Sequence, residues 1–153
     1  GGLSLYNQRS LKNLKGLDSL KTISSLYIQH CDLLSLDGIE NLKKIKNSIY
    51  FWRSDFLNNF EALHNIDTLL GDLELRHTEA KSLKGLENLN YVRGKIKIIA
   101  NSELNDFCNI STLASSRPVY NGPLDDVPYQ TIYIRSNKFN PSSSEFSNGN
   151  CKK

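Results

Sequence analysis

Apolar residues recur along this chain with two alternating spacings. In residues 82–98, SLKGLENLNYVRGKIKI, they fall at Leu83, Leu86, Leu89 and Val92, then across Gly94 at Ile96 and Ile98. Spacing by three suits a tight coil or short helical turn with one side buried. Spacing by two suits a short strand with both isoleucines on one face. One such unit cannot bury its own apolar side, so it needs copies to stack on. The copies are NLKGLDSLKTISSLYI at 13–28, SLDGIENLKKIKNSIYF at 35–51 and NFEALHNIDTLLGDLEL at 59–75. Their first apolar residues, Leu14, Leu36, Phe60, Leu83 and then Phe107, are separated by 22, 24, 23 and 24 residues. The strand pairs Leu26/Ile28, Ile49/Phe51, Leu73/Leu75 and Ile96/Ile98 step by 23, 24 and 23. Leu3/Leu5 and Ile132/Ile134 extend the series to six pairs. Two features sharing one period predict a β-rich solenoid of about six rungs.

The 153 residues are read as a single domain, with repeats over 3–106 and a C-terminal cap over 107–153. The period breaks between Ala114 and Gln130, where Pro118, Gly122, Pro123 and Pro128 mark an irregular excursion. Cys108 and Cys151 bracket the cap, and a disulfide between them is a hypothesis that their positions suggest. Three residues past each strand pair stand Gln8, Cys31, Ser54, Thr78, Asn101 and Asn137. All are polar or small and can hydrogen-bond, as a turn buried between stacked rungs requires. They are the expected structural ladder, with Cys31 a buried thiol rather than a reactive one.

The repeat and the chain end together resemble a known family. The unit SLxGLxNLxxIxGxLxI is similar to the receptor L-domain type of leucine-rich repeat. That type occurs in insulin-receptor and epidermal-growth-factor-receptor ectodomains and in secreted proteins of Bacteroidetes. ELNDFC at 103–108 and YIRSNKFNPSSSEFSNGNC at 133–151 resemble the closing segment of the bacterial members. The resemblance implies a right-handed solenoid, an extracellular or cell-surface location and a binding role without catalysis. It carries over no ligand-contacting residue.

Composition narrows the chemistry. Nineteen Lys+Arg against 16 Asp+Glu give +3, which by itself implies neither nucleic acid nor an anionic membrane as partner. Lys12, Lys15, Lys21, Lys43, Lys44, Lys46 and Lys84 are spread through the repeats, as on a solvated face. The chain starts Gly1-Gly2 before a strand pair, with no methionine and no signal peptide. It is read as a trimmed or mature form whose targeting segment, and any lipid anchor, has been removed. No metal-ligand spacing, nucleophile elbow or phosphate loop is present, so no catalytic residue, metal or cofactor is expected. His30 and His77, 47 residues apart at equivalent repeat positions, would sit about 10 Å from each other, too far for one ion. Asn109-Ile110-Ser111 fits the N-glycosylation pattern, which matters only in a eukaryotic secretory host.

The candidate site is the strand face. With Leu26 and Ile28 inward, Tyr27 and Gln29 point outward, and the same logic runs through every rung. The outward set includes Tyr6, Tyr27, Tyr50, Trp52, Arg76, Tyr133 and Arg135, with Arg53 flanking Trp52. These types are enriched at binding hot spots, since they cover area and keep a polar end. Aromatics also favour exposed strands for their own sake. The sequence therefore predicts recognition of a protein or glycan, with a structural or self-associating surface protein as the alternative.

Overall fold

Residues 82–89, SLKGLENL, show how one turn is built. Ser82 Oγ accepts the Lys84 N–H at 3.4 Å and closes the entry to the turn. Leu83, Leu86 and Leu89 are buried to 1% exposure or less. Gly85 takes φ +100°, and a Cβ there would overlap the Phe60 carbonyl of the preceding turn, so only glycine fits. Its N–H donates to Glu87 Oε2 at 2.6 Å. Asn88 Nδ2 reaches back to the His64 carbonyl at 2.7 Å and ties adjacent turns together. Asn13, Ser35, Asn59 and Asp106 repeat the entry bond, and Asn41 and Asn65 repeat the tie. Where Ala62 and Asn109 replace the glycine, the segment winds instead into 3-10 helices, Glu61–Leu63 and Cys108–Ile110.

The computed structural model describes residues 1–123, 128 and 130–153. The strands are β1 (Leu3–Tyr6), β2 (Thr22–Ile23), β3 (Leu26–Gln29), β4 (Lys44–Ile45), β5 (Ile49–Ser54), β6 (Thr68–Leu69), β7 (Leu73–Thr78), β8 (Tyr91–Val92), β9 (Ile96–Ile99), β10 (Val119–Tyr120) and β11 (Ile132–Arg135). A parallel seven-stranded front sheet runs β1-β3-β5-β7-β9-β11-β10, and the short pairs β2-β4 and β6-β8 form the back. This is a parallel β-solenoid with little helix. The expected rung count needs correction. All six strand pairs lie in the front sheet, but only the run from β1 to β9 makes complete turns, about four of them. The last strand, β11, is reached through the cap rather than by another turn. Leu3 and Leu5 on the edge strand β1 are partly buried, while between the two faces Leu26, Ile28, Ile45, Phe51, Phe60 and Leu69 are fully buried. Each such side chain contributes roughly 1.5–3 kcal/mol before entropy is counted.

Every front strand except β10 ends in a corner. Asn7, His30, Arg53, His77, Ala100 and Ser136 all take the left-handed conformation with φ between 51° and 58°, and none is glycine. The corner keeps the ladder going, with Ala100 N–H donating to the Arg135 carbonyl at 3.0 Å. A Cβ in this region costs roughly 1–2 kcal/mol. We expect Ala100→Gly to stabilise the fold by about 0.5–1 kcal/mol, read as a higher urea midpoint at unchanged slope. A lower midpoint would contradict this account of the corner.

The residue after each corner is the predicted ladder position, and it behaves as expected in only part of the stack. Thr78, Asn101 and Asn137 are buried and bonded across turns. Cys31 is buried at 1% exposure and its thiol faces the Gln29 carbonyl at 3.2 Å. Gln8 departs from the expectation. It is exposed beside the edge strand β1, and its side chain bonds the carbonyl of Tyr6 rather than a neighbouring turn. Ser54 is fully buried, but its Oγ has no hydrogen-bond partner.

Beyond β9 the chain forms the cap. The helices α1 (Ser111–Ser116) and α2 (Ser143–Ser147) pack together. Glu145 and Ser142 close a capping box at the start of α2, and these bonds hold the Glu145 carboxyl below its ordinary range. Buried Arg117 donates to the carbonyls of Gly94 and Val92, fixing the exit of α1 to the fourth turn. The expected irregular excursion therefore contains a helix and a parallel strand, β10. Its centre, residues 124–127 and 129, lies outside the described residues. Cys108 and Cys151 are joined by a disulfide, with Cα atoms 5.0 Å apart.

Candidate functional site

Two rows of side chains stand outward across the front sheet. Strand pairing places Ser4, Tyr27, Tyr50, Glu74, Lys97, Tyr133 and Tyr120 side by side in one row. Tyr6, Gln29, Trp52, Arg76, Ile99 and Arg135 form the other. The outward positions are those the alternation predicts.

The first three strands carry an aromatic cluster. The rings of Tyr27 and Tyr50 stack with centroids 4.9 Å apart and planes 10° from parallel. Tyr6 meets His30 edge-on at 5.7 Å, and His30 meets Trp52 at 5.9 Å. Tyr6 is 60% exposed and Trp52 44%. The left-handed corner swings the His30 ring between its two neighbours. The sequence shows His30 only as the repeat equivalent of His77, and the missing signal is its backbone conformation. Tyr50 is fixed further by donating its hydroxyl to Asp72 Oδ2 at 2.6 Å. Burial first, then this bond and the Asp72 charge, push the phenol well above the usual tyrosine range, so it stays a neutral donor. Asp72 is itself held, its other oxygen accepting the Lys95 N–H at 2.7 Å.

In the other half of the face the two arginines are already engaged. Arg76, in register with Trp52, has its Nε 2.5 Å from Glu74 Oε1. The same Nε makes no aligned hydrogen bond, so the contact is an ion pair and nothing more. Arg135 donates to the Gly122 carbonyl at 3.0 Å. Arg53 is exposed at the corner next to Trp52. Tyr133 leaves the candidate set. It is 1% exposed, because residues 119–122 cover it: Tyr120 lies against its ring at 5.9 Å and Gly122 accepts its hydroxyl at 3.1 Å. The structure thus brings together Tyr6, Tyr27, Tyr50 and Trp52, adds His30, and sets Arg76 at the border.

Among the described residues no three His, Cys, Asp or Glu side chains cluster as a metal site would need. Among them, too, no helix is long and apolar enough to cross a membrane. No protein-family model, curated protein or solved structure matches the chain.

Proposed function

We propose that this chain is a non-enzymatic recognition module of the receptor L-domain leucine-rich-repeat kind, working outside the cell or at its surface. It binds a protein or glycan through the aromatic half of the front sheet, without a cofactor and without nucleic acid. The observation that carries this is the exposed Tyr6 and Trp52, bridged by the half-buried His30 ring, beside the stacked Tyr27–Tyr50 pair. Large rings already fixed by stacking and by the Tyr50–Asp72 bond lose little freedom on binding. The repeat motif supports the family reading. The Cys108–Cys151 disulfide fits an oxidising environment.

The test is a panel of glycans and extracellular proteins, with Trp52→Ala beside the unaltered chain. We expect a ligand whose affinity falls at least tenfold in the variant, a loss of about 1.4 kcal/mol or more. A ligand indifferent to Trp52 removes this face from consideration. No ligand, together with a dimer in light scattering that Trp52→Asp dissolves, would replace recognition by self-association.

A further inference from the structure

The back of the solenoid has a different chemistry from the front. Inward Ile23, Ile45, Leu69 and Val92 are buried, which turns their neighbours out across the core from the aromatic face. Thr22 stands beside Lys44 and Thr68 beside Tyr91. Lys46 and Arg93 flank Leu70, linked through the bonds of Leu70 N–H to the Lys46 carbonyl and of Arg93 N–H to that of Leu69. Lys21 adjoins Lys43 and Lys44, both of which donate their N–H to its carbonyl. Lys21, Lys43, Lys44, Lys46 and Arg93 are all exposed. Among the described residues none of the five is in an ion pair; the chain's ion pairs lie elsewhere.

Solvation alone accounts for exposed lysines, but not for what lies among them. Leu70 is 54% exposed and Tyr91 50%. Their sequence neighbours Leu69 and Val92 already fill the core, so these two side chains leave about half of their surface in solvent. Lys43, Lys44 and Lys46, with Thr68, Leu70 and Asp67, line a shallow hollow of about 400 Å³.

We propose that this back face docks on an anionic lipid bilayer. Each cation held near such a surface is worth about 1 kcal/mol. The Tyr91 ring suits the headgroup level and Leu70 the acyl boundary, as on interfacial amphipathic surfaces. The hollow between Lys44 and Thr68 receives a headgroup phosphate, its three lysines and the Thr68 hydroxyl outweighing the single Asp67 carboxylate on the wall. A soluble polyanion uses the same cations but has no use for an exposed leucine. In this orientation the front sheet faces away from the lipid and stays open to a ligand.

The test is co-sedimentation of the chain with vesicles of phosphatidylcholine alone, or with phosphatidylglycerol making up about a third of the lipid. We expect sedimentation with the anionic vesicles only, weakening as salt rises. Lys43→Glu/Lys44→Glu/Lys46→Glu should abolish it. Lys15→Glu/Lys81→Glu/Lys152→Glu, with the same net charge, should retain it. Leu70→Ser/Tyr91→Ser should weaken it about tenfold, while circular dichroism shows all three sets of exposed substitutions folded. The proposal is overturned by equal binding to both vesicles or by binding to neither. It is also overturned if the Leu70/Tyr91 variant binds undiminished and polyphosphate competes, which would make the face a polyanion site.

Discussion

Asn101→Ala should cost about 3 kcal/mol of folding free energy, a large loss for a single buried amide. Its Oδ1 accepts both the N–H and the hydroxyl of Thr78, at 3.0 and 2.9 Å. Its Nδ2 donates to the Leu75 carbonyl at 3.2 Å and to Asn137 Oδ1 at 2.9 Å. One amide thus joins three consecutive front strands from inside, where exposure is 0% and no solvent can substitute. Truncation strands the buried Thr78 N–H and takes a donor from the Leu75 carbonyl and from Asn137 Oδ1, and a buried orphan costs roughly 1–3 kcal/mol. Ser54→Ala is the matched control. It removes a hydroxyl that is equally buried but has no partner, and should change stability by less than about 0.5 kcal/mol. Guanidinium unfolding of both variants decides the matter. Equal losses at the two sites would mean that the ladder bonds add nothing beyond side-chain volume.

The same positions show how far the sequence could be read. All six strand pairs and both outward rows were legible, because a period of two within a period of about 23 fixes which residues share a face. The turn count was not. Ile132 and Ile134 look like one more repeat, yet the chain reaches them through helix α1 and strand β10. Burial at Tyr133 was invisible for a related reason: its cover comes from residues 119–122, which follow no repeat rule. At the ladder, the polar character of the position was readable but its satisfaction was not. A serine hydroxyl is too short for the bonds that the Asn101 amide makes, and Gln8 follows the edge strand β1. His30 entered the aromatic cluster through a left-handed corner that no glycine announces. The lysines of the back face were visible as residues; their gathering around Leu70 and Tyr91 depends on the register between turns.

Removing the disulfide, as Cys108→Ser/Cys151→Ser, should lower stability by about 4 kcal/mol. The loop-entropy relation gives that value for the 43-residue separation between the two cysteines. For a chain of this length the melting temperature should fall by on the order of 10 °C. What remains to hold the tail is slight. Phe107 N–H donates to the Cys151 carbonyl at 2.9 Å and Lys153 N–H donates to that of Asn105 at 3.1 Å, the two backbone bonds of an antiparallel bridge between Asp106 and Lys152. These few bonds cover Phe107 and Phe139, whose rings meet edge to face at 6.4 Å at the end of the core. The double variant is the right test because either single one leaves an unpaired thiol in a chain that also holds the free, buried Cys31. Hydrogen exchange then separates two ways of failing. If the tail merely frays, protection is lost at 105–107 and 150–153 while the four turns keep theirs. If the cap seals the core, protection falls through β9 and β11 as well, since the end of a solenoid is where its stack opens. We expect the second pattern, because Phe107 and Cys108 belong to the last leucine unit and the cap alike. A loss below about 1 kcal/mol, with exchange altered only in the tail, would show that the cap needs no cross-link to stay closed.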